Sequence, residues 1–277
     1  MMTSEISAQD YLAFKTFLQE ACGILLGDNK QYLVTSRLRR IMADEELKSL
    51  GQLVEKLRRQ PRGPLREAVI DAMTTNETLW FRDLHPFRIL EQRLLPELVT
   101  KKGSQPLRIW SAACSTGQEP YSIAMTIEEF RKVRAGQLRQ NVQIVATDIS
   151  RRVLEGARKG EYEMLAIGRG LSPERQRQYF SPAPSGGWVI NPNIRSMVDF
   201  KEINLLERYT LGRFDIIFCR NVLIYFSAED KRNILERMHQ SLNPGGYLIL
   251  GASESLNGLP DKYEMVQCQP GIIYRAK

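Results

Sequence analysis

Apolar positions in the first part of the chain recur at helical spacing. From Ser7 to Cys22, Tyr11, Phe14, Leu18 and Ala21 share one face, with Ser7 placed to cap the first turn. Gly23 and the Gly27-Asp28 pair interrupt the pattern. It resumes from about Asn29 to Ala43, where Val34, Leu38 and Ile41 form a stripe. Further helices are predicted from Ser49 through Arg59, ending at Pro61, and from about Pro64 to Met73. Two-residue alternation is missing here, so residues 1–84 read as a small all-helical domain. Thr74 to Phe87 (TTNETLWFRDLHPF) has no clean period. It reads either as a helix start capped at Thr75 or Asn76, or as a ligand-facing lip between domains. Leu90 to Thr100 is again helical, and Lys101 to Ser104 is a turn.

From Leu107 the pattern becomes alternating strands and helices, the signature of a parallel α/β sheet. Strands are expected at Leu107–Ser111, Val142–Thr147, Val198–Ile203, Phe214–Cys219 and Tyr247–Leu250, the last entered by a tight turn at Pro244-Gly245-Gly246. Helices are expected from near Glu119 and Pro120 to Phe130, from near Ser150, and from Ala228 to Leu242. Residues of about 160–198 interrupt the alternation. There Glu174 to Tyr179 is helical, Ser181 to Gly187 is a turn, and Trp188–Ile190 with Ile194–Val198 read as a short antiparallel excursion. Tyr263–Cys268 and Gly271–Arg275 form a closing hairpin around Gln269-Pro270. A mostly parallel, Rossmann-like sheet ended by such a hairpin is the layout of class I methyltransferases, and residues 85–277 are read as that domain.

The loop after the first strand carries the candidate chemistry. Small residues from Ala112 to Gly117, followed by a helix start with unpaired N–H groups, let a ligand approach the backbone. No G-x-G-x-x-G fingerprint is present, so an ordinary strand–helix connection stays open. Asp148 ends the second strand, where a carboxylate accepts from both ribose hydroxyls or simply caps the helix beginning near Ser150; both roles can coexist.

Composition narrows the choices. No apolar run approaches the roughly 18–20 residues of a membrane span, and the opening MMTSEISAQDYLAF lacks the pattern of a secretory signal. The four cysteines are far apart, which argues against structural zinc and a disulfide framework and suggests a reducing cytoplasm. With only His85 and His239 present, a histidine-based metal or hydrolase site is not expected. The formal charge of +7 points to an acidic partner without choosing among nucleic acid, membrane surface and protein. Arg37, Arg39 and Arg40 on the second helix are either a docking face for an acidic helix or a solvated surface.

In order along the chain, TTNETLWFR, SAACSTGQEPYSIA, ATDIS, the NLL after VDF, FCRNVLIYF and NPGGYLIL resemble the bacterial chemotaxis receptor glutamate methyltransferases, the CheR family. The match covers nearly the whole chain, and other enzymes using S-adenosylmethionine (SAM) carry E/D-x-G-x-G-x-G in place of SAACSTGQEPYS. The resemblance implies a cytoplasmic enzyme that moves methyl from SAM to glutamate carboxylates on the helical signalling region of membrane-bound chemoreceptors. It implies SAM contacts at Asn76, Thr78, Arg82, Glu119, Asp148, Asn204, Leu205, Arg220 and Asn221. Arg82 and Tyr225 would orient acceptor and cofactor, and the basic second helix would dock the receptor. No metal, nucleic acid or membrane insertion is implied, and a monomer is expected. Cys114 and Gln118 stand where relatives often have Ala and Glu, and Cys114 reads as a small buried residue. Some members use the inserted β-subdomain to hold a receptor C-terminal pentapeptide. The short SPAPSGG turn puts that tether in doubt and implies tether-independent methylation. The rival readings are a nucleic-acid methyltransferase, whose N-P-P-Y-like box is replaced here by CRNVLIYF, and a SAM-binding receptor scaffold without catalysis.

Overall fold

The computed structural model describes residues 6–256 and 258–277; Met1–Glu5, the start of the segment read for a signal sequence, lie outside the described residues. Four helices open the chain: α1 (Ala8–Cys22), α2 (Gln31–Asp44), α3 (Leu50–Arg59) and α4 (Pro64–Met73). The caps are those the sequence suggests. Ser7 accepts from the Asp10 N–H at 3.0 Å, and Ser49 accepts from the Gln52 N–H at 3.2 Å. Their apolar stripes meet in a core of their own, with Phe14, Leu18, Val34, Leu38, Leu53 and Val69 buried together.

The remainder is built on a seven-stranded sheet. Its strands are β1 (Leu107–Ala112), β2 (Val142–Asp148), β6 (Val198–Glu202), β7 (Phe214–Cys219), β8 (Leu242–Leu250), β9 (Tyr263–Cys268) and β10 (Gly271–Ala276). Their order is β6-β2-β1-β7-β8-β10-β9, parallel except for β10, which runs antiparallel to β8 and β9. The central strands are continuous apolar runs because helices cover both faces. Ile109, Ile216 and Phe218 pack on one side with Tyr121, Ile123 and Phe130. Trp110, Ile217 and Cys219 pack on the other with Ile234, Leu235 and Met238.

The structure departs from the sequence reading in four places. Thr74 to Leu84 contains no helix: Thr74 terminates α4, and turns follow up to His85, so Thr75 and Asn76 cap nothing. The next helical stretch is longer than expected, His85 to Lys102, with a π-helical section at Leu90–Leu94. Pro96 has no N–H to give and its ring crowds the preceding turn, which accounts for the widening there. β8 begins at Leu242 rather than Tyr247, because Pro244-Gly245-Gly246 forms an irregularity inside the strand, with Gly245 at φ +71°. Finally, Ile194–Val198 is not a strand. Pro192–Arg195 makes one helical turn, as Pro at its first position favours, and the chain then enters β6 of the main sheet. The small antiparallel sheet instead consists of β3 (Glu161–Tyr162), β4 (Phe180–Pro182) and β5 (Trp188–Ile190), ordered β3-β5-β4.

The helical bundle is seated against the carboxyl edge of the main sheet. Asn204, just after β6, donates from Nδ2 to the Ala21 carbonyl at 3.0 Å, and the Leu25 N–H donates to the Tyr225 carbonyl at 3.0 Å. Gly23 ends α1 at φ +77°, and a Cβ there would run into the Phe226 ring. Gly23→Ala therefore combines left-handed strain with a clash and should destabilise the protein by about 1–3 kcal/mol. Urea unfolding measures this; an unchanged midpoint would mean that the seam is loosely fitted.

Candidate active site

The loops following β1, β2, β6 and β7 meet the α1–α2 loop and the segment after α4 around one cavity of about 290 Å³. Its walls include Asn76, Thr78, Arg82, Glu119, Asp148, Asn204, Leu205, Arg220, Asn221, Tyr225 and Arg37. Arg39 and Arg40 are exposed on α2, outside it.

Asp148, at the tip of β2, is buried and shared between two loops. Its Oδ2 accepts from the Ser115 N–H at 2.8 Å and its Oδ1 from the Ser150 N–H at 3.0 Å. Ser150 in turn caps the helix Arg151–Lys159. Burial pushes the Asp148 carboxyl above the ordinary carboxylate value, against the lowering effect of the backbone N–H groups around it. The loop after β1 is held open by left-handed residues, Ala113 at φ +58° and Ser115 at φ +50°. Ser115 also reaches across, its Oγ donating to the Asn76 carbonyl at 2.9 Å. Cys114 between them is buried and its thiol is pushed well up, so it stays a neutral packing residue, as its sequence context suggests.

Arg220 directly follows β7, with its side chain only 1% exposed. Its guanidinium donates to Glu119 Oε2 at 2.9 Å, to Asp83 Oδ2 at 2.6 Å and to the Arg82 carbonyl at 3.0 Å. Glu119 Oε1 accepts from Ser111 Oγ at 2.8 Å. Glu119 and Arg220 thus serve first as each other's partners and tie the Arg82–Asp83 turn to the sheet. Arg82 itself is half-buried, the one hydrogen bond of its side chain among the described residues being a long 3.4 Å contact to the Glu77 carbonyl. Two buried polar atoms of the wall, Arg220 Nε and Asn221 Oδ1, have no hydrogen-bond partner among the described residues.

Two residues play roles that their type did not suggest. The Asn204 amide is engaged by Ala21, Glu207 and the Leu206 N–H, so it clasps the seam and offers the cavity a wall rather than a free side chain. Arg37 donates to the carbonyls of Met73 and Thr74, at 2.8 and 3.2 Å, and to Thr75 Oγ1 at 3.3 Å. It braces the segment carrying Asn76, whereas Arg40 makes only an exposed pair with Asp44, at 3.7 Å, among the described residues. The three arginines do not form one face. Sequence reasoning missed Asp83, Glu254 and the apolar α1–α2 loop. Glu254 could have been found by the rule that flagged Asp148, as a carboxylate just past the end of a strand.

All non-glycine residues with positive φ, Glu46 excepted, lie on segments bordering this cavity: Phe81, Asp83, Leu84, Ala113, Ser115 and Asn221. Such conformations cost of order 1–3 kcal/mol each and collect where function over-determines the backbone. No group of three potential ligand residues is gathered for a metal ion among the described residues.

Two family models match the chain. Residues 9–74 match the CheR methyltransferase all-alpha domain, and residues 76–272 match the CheR methyltransferase SAM binding domain. Chemotaxis protein methyltransferase 1 of Pseudomonas aeruginosa is 62% identical, over 97% of this chain and 98% of its own length. Chemotaxis protein methyltransferase Cher2 of Pseudomonas putida is 60% identical over the same shares, 97% and 98%. Chemotaxis protein methyltransferase of Vibrio parahaemolyticus is 55% identical, over 100% of both chains. With both domains matched and relatives of this identity along its whole length, the chain belongs to the CheR methyltransferase family and uses SAM as its cofactor.

Proposed function

We propose that this cavity transfers the SAM methyl group to glutamate side-chain carboxylates of chemoreceptors, giving glutamyl methyl esters. The observation that carries the reading is the arrangement of charge in one cavity. Among the described residues, a buried carboxylate without a cationic partner, Asp148, shares it with a half-buried guanidinium without a carboxylate partner, Arg82. The wall fits SAM: Asp148 suits a ribose diol, and Arg220 Nε and Asn221 Oδ1 are a buried donor and acceptor awaiting partners. Asn76, Thr78, Glu119 and Leu205 complete that set. Asn204 contributes through its backbone and its hold on Ala21. Bound there, SAM supplies an electrophilic methyl group on a sulfonium.

The protein's task is then placement. A free glutamate has a reference pKa of about 4.3, so the acceptor is already an anion at neutral pH and needs no general base. His85 and His239 both lie outside the cavity lining. Arg82 holds the acceptor carboxylate as a fixed cation that does not give up its proton. Tyr225 donates its hydroxyl to an acceptor oxygen and leaves the other oxygen to attack. Holding the pair in line is the proximity effect, worth up to about 7–11 kcal/mol.

We assign residues 1–84 to receptor docking and 85–277 to transfer, with the β-subdomain at about 160–198 inserted in the latter. Arg39 and Arg40 meet the acidic helical region of the receptor; Arg37 supports the site from behind. The enzyme works as a monomer in the cytoplasm, without a receptor pentapeptide tether and without nucleic acid.

Incubating the enzyme with labelled SAM and receptor-containing membranes, then adding alkali, should release volatile labelled methanol. Label stable to alkali, or binding without transfer, would overturn the reading. Asp148→Ala should weaken SAM binding at least tenfold by calorimetry, while unchanged affinity would leave Asp148 a loop cap alone. The wild-type affinity should have an acid limb. Hydroxyls donating to Asp148 favour its ionised form, so binding is full above its raised pKa and declines as pH falls through it. Arg39→Glu with Arg40→Glu should slow receptor methylation and leave SAM affinity intact, whereas Arg37→Glu should reduce both. Receptor methylation unaffected by the double reversal at physiological salt would remove the docking assignment.

A further inference from the structure

Glu254 lies just beyond β8, outside the cavity lining, and all of its acceptor capacity is turned inward. Oε2 accepts from the Asn221 N–H at 2.7 Å and the Gly251 N–H at 2.8 Å. Oε1 accepts from the Val222 N–H at 2.9 Å and the Leu223 N–H at 2.7 Å. Three successive amides of the turn after β7 therefore converge on one carboxylate, together with the last amide before its own turn. These bonds involve a charged acceptor and belong to the stronger class.

The held turn is the one that carries chemistry. Asn221 sits at φ +58° with its buried Oδ1 unpartnered among the described residues, and the short 3₁₀ turn Leu223–Tyr225 follows after Val222. Left to itself, a non-glycine residue in the left-handed region carries a conformational penalty, smaller for Asn than for most. The convergent acceptor offsets that penalty where the side chains must point at ligand and acceptor. Gly251 completes the fit. A Cβ there would meet Glu254 Oε2 at 2.6 Å, the Asn221 nitrogen at 2.9 Å and Asn221 Nδ2 at 3.0 Å. Any side chain at this point would push the carboxylate off the turn or push Asn221 out of place.

We propose that Glu254 is a positioning residue for methyl transfer: its carboxylate, with Gly251 beside it, fixes the turn that presents Asn221 to the cofactor and Tyr225 to the acceptor. The proposal rests on the methyl-transfer reading of the cavity. A carboxylate is required because an amide of the same shape presents one oxygen and one donor. Whichever way the amide is turned, two of the four N–H groups then face a donor.

The test compares Glu254→Gln, Glu254→Asp and Gly251→Ala with Asp215→Asn. Asp215 lies in the opposite half of β7, where its carboxylate holds Lys102 and Asn243. For each variant, turnover and KM on receptor membranes, SAM affinity by calorimetry and the thermal midpoint are measured. We expect Glu254→Gln to lower turnover roughly tenfold to a hundredfold, the range a displacement of about 1 Å produces, and to weaken SAM binding. Glu254→Asp, which keeps the charge, should recover part of the loss. Gly251→Ala should move in the same direction as Glu254→Gln. Asp215→Asn should lower the midpoint with turnover unchanged. If Glu254→Gln does not fold, Gly251→Ala and Glu254→Asp carry the comparison. Turnover and affinity that follow the thermal midpoint alike in all variants would reduce Glu254 to a stabilising residue and overturn the proposal. Should the wild type yield no alkali-labile label, the methyl-transfer reading fails, and the SAM-affinity comparison still reports on the turn.

Discussion

The buried guanidinium of Arg220 sets the terms for the carboxyl edge of the sheet. A cation with 1% side-chain exposure must have its partners brought to it, because an uncompensated buried charge costs several kcal/mol. The partners come from two directions. Glu119 arrives on the first turn of the helix after β1, and Asp83 arrives from the segment that leaves the helical bundle. Satisfying one charge therefore fixes how the turn containing Arg82 lies across the ends of β1 and β7. The left-handed backbone at Asp83 and Leu84, φ +66° and +53°, is the conformation that this crossing takes. Such strain persists only where strong surrounding contacts over-determine it, and the charge-assisted bonds of Arg220 are contacts of that kind.

The same logic extends to the seam between the two cores. Side chains that could serve a ligand are instead used to hold backbone: Asn204 on Ala21, Arg37 on Met73 and Thr74, Glu254 on Asn221 to Leu223. A cavity walled largely by loops from both sides of a seam has few strand or helix residues to keep its shape. Hydrogen bonds to charged groups, each contributing about 1.5–3 kcal/mol, supply the stiffness that regular structure does not. This explains why the neighbours of the reactive groups are polar and yet mostly occupied.

Much of this was legible in the sequence, and what was missed has a common cause. Both-face burial makes β1, β2 and β7 plain apolar runs, and Asp148 could be flagged because it follows one directly. The caps Ser7 and Ser49 were equally legible, since a cap depends only on residues three positions away. By contrast, the tasks of Asn204 and Arg37 depend on contacts with residues 183 and 36 positions away. Residue type and strand position foretell which side chains come to the site, but not whether they face the ligand or the neighbouring loop. The segment Ile194–Val198 failed differently: its apolar ends looked like strand, and the helical turn that Pro192 favours took precedence over its first residues.

The charges of the cavity then divide by role. Glu119 and Arg220 neutralise each other and are spent on architecture. Asp148 is buried with backbone N–H donors as its partners, and the half-buried Arg82 side chain has a carbonyl as its one hydrogen-bond partner among the described residues. Among the described residues, Asp148 thus has no cationic partner and Arg82 no carboxylate partner, although both line the same cavity. Burial holds the Asp148 carboxyl above its ordinary pKa, so ionising it costs the folded protein stability as pH rises through that window. A diol donating to the ionised form offsets that cost, which links cofactor binding to the charge state of Asp148. At Arg82 the requirement is opposite in sign: an incoming carboxylate neutralises the free cation while remaining an anion able to attack. A site that needs no general base for the transfer step can therefore select both ligands by charge, and the acceptor reaches that step already ionised.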